Sequence, residues 1–151
     1  MKIDDRIEAP VRDLFSAVVK SNEEEFAKVL RGLSDQASQV KALELAIAVC
    51  GFVLIDTYGR RPTASETEEI AQVIVDAGGW VPLTVPEVSK FLTVTLDGKP
   101  LAQTFGAENA FFLAFIITGT LLGASPKIGE GEWWFNYLDR VEAAIEATPA
   151  S

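Results

Sequence analysis

The sequence predicts an all-α protein: one domain over residues 1–151, a bundle of six to seven helices around two apolar central ones. Three observations carry this. The stretch Ala110–Ala124, AFFLAFIITGTLLGA, holds no charge and no polar face, so a helix there must be enclosed on every side. Apolar residues elsewhere recur at helical spacing, and capping residues stand at the starts of those stripes. Strand-like alternation arises only once, at 92–105.

Along the chain, Val11, Leu14, Phe15, Val18 and Val19 form one helical face after Pro10, which suits a helix start. Ser21 and Glu24 have the spacing of a capping box. Phe26, Val29, Leu30 and Leu33 give the second stripe. The Glu23-Glu24-Glu25 run complements the positive end of that helix rather than marking a metal site. A third helix is expected from Ser34 or Asp35 to about Tyr58, with residues 45–55 apolar all round and Gly59 as its stop. Ser65 and Glu68 read as another capping box. The following stripe is Ile70, Val73, Ile74 and Ala77, closed by Gly78-Gly79.

Thr84-Val-Pro-Glu87 opens a fifth helix. Residues 92–105 then admit two readings, a helix end or a short β-hairpin around Asp97-Gly98. The strong cap at Thr84, with Pro100 weakening a second strand, favours a helix ending at Gly98. A helix from about Ala107 to Gly123 ends at Ser125-Pro126. The last runs from Glu132 to about Ala147, with Trp134, Leu138, Val141 and Ile145 on its buried stripe.

The run 110–124 would span about 22 Å as a helix, short of the roughly 30 Å of a bilayer core. Glu108 precedes it and Lys127 follows it. A buried central helix is therefore expected, with no membrane partner. Ala42, Ala46 and Cys50 repeat at intervals of four, as do Ala110, Ala114 and Thr118, and Gly119-x-x-x-Gly123 adds a further small ridge. These small ridges predict that the two apolar helices cross at close range.

Composition narrows the chemistry. There is no histidine, so the commonest general base and most zinc sites are excluded. The single cysteine, Cys50, permits neither an internal disulfide nor a cysteine cluster, and its apolar neighbours read it as a core residue. The net charge is −9, distributed evenly, which disfavours nucleic acid as a partner. The charged N-terminal segment has no apolar signal region, and a cytoplasmic location is expected.

Three features could carry function. Arg60 and Arg61 precede a helix start at Ser65, an arrangement that can hold an anion. Trp133, Phe135 and Tyr137 crowd one turn beside Trp134. Trp133 and Tyr137, four apart, are expected on a shared face that lines a partner interface or a ligand pocket. Acid pairs, Glu66 with Glu69 and Asp139 with Glu142, sit at positions that read as exposed, with nothing to separate an acid from a base. The leading expectation is a non-catalytic interaction or regulatory module, binding a protein partner or itself as a homo-oligomer. The alternative is a small-molecule binder with an apolar pocket between the central helices. An enzyme using carboxylates is third. No cofactor and no metal are called for.

Overall fold

The computed structural model describes residues 1–148. Among these it is all-helical, with eight helices and no strand. α1 is Asp5–Val19, α2 Glu23–Gly32, α3 Gln36–Tyr58, α4 Ala64–Asp76, α5 Val85–Leu96, α6 Leu101–Phe105, α7 Ala107–Gly123 and α8 Trp134–Ala147. The segment 92–105 is no hairpin: α5 stops at Leu96, and α6 is the helix beyond the expected seven.

Several helix starts differ from the sequence reading by a residue or a turn. α1 begins before Pro10, not after it. The Asp4 side chain accepts from the Arg6 N–H, and Ile7 is buried one turn ahead of the Val11 stripe. Pro10 thus lies inside the helix, where its missing N–H leaves the Arg6 carbonyl without its helical donor. Asn22, not Ser21, caps α2 through the Glu25 N–H at 3.0 Å, and Ser21 takes a left-handed backbone at φ 52°. The α4 capping box is Thr63 with Glu66 rather than Ser65 with Glu68: Glu66 N–H donates to Thr63 Oγ1 at 3.2 Å and Thr63 N–H to Glu66 Oε1 at 2.9 Å. Asp35 and Thr84 cap α3 and α5 as read. Gly59, at φ 70°, supplies the left-handed stop of α3 that a side chain would strain.

α7 is the centre. Its residues Leu113 to Gly119 are all buried. α3 and α1 pack against it on different sides. Ala42, Ala46 and Cys50 of α3 are fully enclosed, as are Ala110, Ala114 and Thr118 of α7. The Cys50 thiol lies beside the Thr118 hydroxyl, which makes no hydrogen bond of regular geometry. Burial pushes that thiol up to about 12, so Cys50 is a packing residue. The glycine ridge serves a different neighbour from the one expected. Gly119 and Gly123 face Val18 and Val19 of α1, and a Cβ on Gly119 would lie 2.8 Å from Val18 Cβ.

Because Ala114 is fully enclosed, Ala114→Leu should cost about 1–3 kcal/mol through overpacking. Chemical denaturation checks this; an unchanged midpoint would remove Ala114 from the contact.

Candidate functional site

An open groove of about 1030 Å³ lies at one end of the bundle. Four helices build it. α2 contributes Leu30, the first turns of α3 contribute Gln36, Gln39, Val40 and Leu43, and α6 ends there in Phe105. The first turns of α7 bring Glu108, Asn109, Phe111 and Phe112. Its walls are mostly apolar, and Glu108 is the one ionisable side chain among them.

Local rules explain each wall. Asp35 starts α3, and Gln39 Nε2 donates to the Leu33 carbonyl at 2.7 Å, tying that start to the end of α2. Gly106 separates α6 from α7 at φ 82°, a left-handed turn that lets two helices meet with no side chain filling the corner. No side chain caps the α7 N-terminus. Phe111 and Phe112 are adjacent, so they leave the helix at roughly 100° to one another. Phe111 packs on Phe115, centroids 4.9 Å apart, and Phe112 meets Phe26 edge-on at 5.7 Å. Both rings are held by the core while still presenting surface to the groove. Val40 is 49% exposed there, so the groove is a trough open to solvent rather than an enclosed cavity.

The groove joins the N-terminal turns of both α3 and α7, and further along Cys50 meets Thr118. The two central helices therefore run in the same sense. The first turns of both central helices line the apolar groove; Trp133 and Tyr137 are not among its walls.

The aromatic cluster of α8 lies toward the other end of α3 and is divided. Trp133 is 68% exposed and Phe135 40% exposed. Tyr137 does not share a face with Trp133. It is buried, and its hydroxyl donates to Asp56 Oδ2 at 2.7 Å. Burial and the Asp56 carboxylate push the phenol above its ordinary value. Four residues separate Trp133 from Tyr137, but Trp133 is the N-cap with extended backbone (φ −109°, ψ 167°), so helical spacing does not apply across that step. Trp134, expected on the buried stripe, is only half-buried.

The arginines after α3 are bound within the chain. Arg60 makes a forked bond to Glu66, at 2.6 and 3.0 Å, and lies over the Tyr58 ring. The guanidinium and the Thr63 N–H hold the Glu66 carboxyl down at about 2. Arg61 donates to Asp97 and to the Leu96 carbonyl. Ser65 is exposed on the first turn of α4 and caps nothing; Thr63 has that role.

One constellation has no counterpart in the sequence reading. Arg12 of α1 donates through Nε to Glu8 and through Nη2 to both Asp139 and Glu142 of α8, each at 2.8 Å. Glu142, which the sequence placed on an exposed face with Asp139, is 8% exposed. Desolvation and the nearby Glu8 charge push its carboxyl up to about 7. The i,i+4 spacing of Glu8 and Arg12 was a readable signal; the crossing of α8 over that pair was not.

No group of His, Cys, Asp or Glu among the described residues could hold a metal ion, and no helix is long and apolar enough to cross a membrane. Comparison with protein-family models, with curated proteins and with solved structures finds no match to the chain.

Proposed function

We propose that the protein is a non-catalytic interaction module that receives an apolar helix of a basic protein partner in the groove between α2, α3, α6 and α7. The observation that carries this is the trough itself, with Leu30, Val40, Leu43, Phe105, Phe111 and Phe112 around its walls. An amphipathic helix laid in such a groove buries its own leucines there, each contributing about 1.5–3 kcal/mol. Val40's exposure favours such an extended occupant over a small molecule, which needs most of its surface enclosed. The groove has no nucleophile and no base besides the Glu108 carboxylate, so it is suited to binding rather than reaction. The net charge of −9 steers a basic partner toward the protein and opposes a second copy at low salt.

A fourteen-residue peptide of leucine and lysine in amphipathic register tests the reading. The full chain should bind it, and Val40→Glu should weaken binding at least tenfold without lowering thermal stability, because Val40 is half in solvent already. Trp133→Ser should bind like the wild type. A scrambled peptide of the same composition reports attraction by charge alone. Equal binding by Val40→Glu and the wild type would overturn the groove as the site. Light scattering after size exclusion tests the other occupant: a dimer abolished by Val40→Glu would make the chain its own partner.

A further inference from the structure

We propose that the bound partner helix runs on beyond the groove, along the solvent face of α3 as far as Ile55, and comes closest to α3 at Gly51. The inference rests on the groove reading and lengthens the segment bound there to about twenty residues, at roughly 1.5 Å of rise each. The composition of α3 does not match its surroundings. From Ala42 to Ile55 it carries one charged residue, Glu44. The equally apolar α7 is enclosed through its middle, from Leu113 to Gly119. α3 buries one side, with Ala42, Ala46, Val49, Cys50 and Val53. On the opposite side Val40, Leu43, Ile47, Gly51 and Ile55 follow one another at intervals of three or four. Ile55 is 46% exposed, and Leu43, Ile47 and Gly51 are partly so. A helix that is apolar all round needs cover on every side, and this side lacks full cover among the described residues.

Gly51 is the second observation. Two glycines stand inside helices rather than at their ends, Gly51 and Gly119. Gly119 has its reason within the chain, because a Cβ there would meet Val18 at 2.8 Å. A Cβ on Gly51 would meet nothing within 4 Å. Its backbone is helical, so no turn requires glycine there. A glycine in mid-helix weakens the helix, and nothing within the chain draws on the space it leaves. What the missing side chain permits is the close approach of a helix from outside.

The charge of that helix follows from two acids. Glu44 on α3 and Glu108 in the groove are exposed, and neither enters an ion pair among the described residues. The neighbouring Lys41 is turned to Asp4 at 3.6 Å. The stripe is continuous with the groove, since Val40 and Leu43 belong to both and Ile47 stands one turn further on. A single helix with a leucine face and lysines along its edges complements the whole length. A second copy would bring two charges of −9 together.

A fourteen-residue helix seated from Gln36 extends about 21 Å and ends short of Gly51, whereas one of twenty-one residues, about 31 Å, passes Ile55. Leucine–lysine peptides of these two lengths are titrated into the full chain by calorimetry. The longer should bind at least tenfold tighter than the shorter, and at least tenfold tighter than a twenty-one-residue control whose last seven residues are scrambled. Gly51→Leu and Ile55→Lys should each erase that gain and leave the affinity for the shorter peptide as it was. Neither variant should lower the melting temperature, because Gly51 has open space beside it and Ile55 is half in solvent. No gain in the wild type, or a gain retained in both variants, would overturn the extension, while weaker binding of the shorter peptide by Val40→Glu would still uphold the groove. Binding of the shorter peptide that Val40→Glu leaves untouched, or binding of neither peptide, would overturn both. A dimer in light scattering that Ile55→Lys abolishes would make a second copy the occupant and overturn the assignment.

Discussion

Replacing Phe115 with alanine should lower the free energy of unfolding by about 3–5 kcal/mol. Phe115 is fully buried at the middle of α7, with Phe15 of α1 at 5.6 Å between ring centroids and Phe111 at 4.9 Å. Alanine there removes an aromatic volume that α1 and α3, already in close contact with α7, cannot collapse to fill. Against a typical total of about 5–15 kcal/mol, the loss is a large share of the stability. It also has a functional readout. Phe111 lines the groove and rests on Phe115, so the variant should bind the amphipathic peptide more weakly even where it is folded. Phe115→Leu, which keeps more of the volume, should cost well under half as much. A loss below about 1 kcal/mol for the alanine variant would mean that α7 is not central.

Gly119→Val should cost about 3 kcal/mol, the upper end of the range for overpacking. The first atom of the new side chain would stand 2.8 Å from both Val18 Cβ and Val18 Cγ1. Valine then adds two branches whose χ1 is nearly fixed in a helix, so neither can swing away. The removal of a mid-helix glycine returns less than about 1 kcal/mol of helix propensity, too little to compensate. The clash is specific, and Val18→Ala in the same chain, which removes both γ-carbons but keeps the Cβ, should recover part of the loss. A double-mutant cycle in urea measures this; additive costs would place the strain somewhere other than the α1–α7 contact.

The helices were legible because their signals are local. The stripe of α2 and the caps Asp35 and Thr84 depend on residues within a few positions of one another, whereas α4 buries Thr67, Ile70, Ala71 and Ile74 and leaves Val73, expected on its stripe, 52% exposed. The misplaced starts have a common cause. Pro10 is a strong start signal, but Asp4 and Ile7 together outweigh it, because a buried turn plus a cap offsets one missing hydrogen bond. Ser21 and Ser65 each lie next to or near a better cap, Asn22 and Thr63, with an acid at the right offset from either. The small ridges announced close packing, yet periodicity alone could not say that Gly119 and Gly123 serve α1.

The functional surface was less legible because it is assembled from four separate helices. Consecutive aromatics on one helical turn cannot all face one core; at Phe111-Phe112 this marks the groove, as at Trp133, Trp134 and Phe135 it marks the exposed edge. Val40 and Leu43, near the polar start of α3, were a second signal. Glu142 shows the limit in the other direction. Nothing near it in the chain distinguishes it from a solvated acid; its burial comes from the tertiary packing of α8, and Arg12 reaches it from α1.

The most direct measurement is a map of amide chemical-shift changes as the leucine–lysine peptide is titrated into the full chain. Shifts concentrated at Leu30, Val40, Leu43, Phe105, Phe111 and Phe112, and lost in Val40→Glu, are the predicted result. Shifts centred on Trp133 and Phe135, or spread evenly over the acidic surface, would contradict the groove as the binding surface.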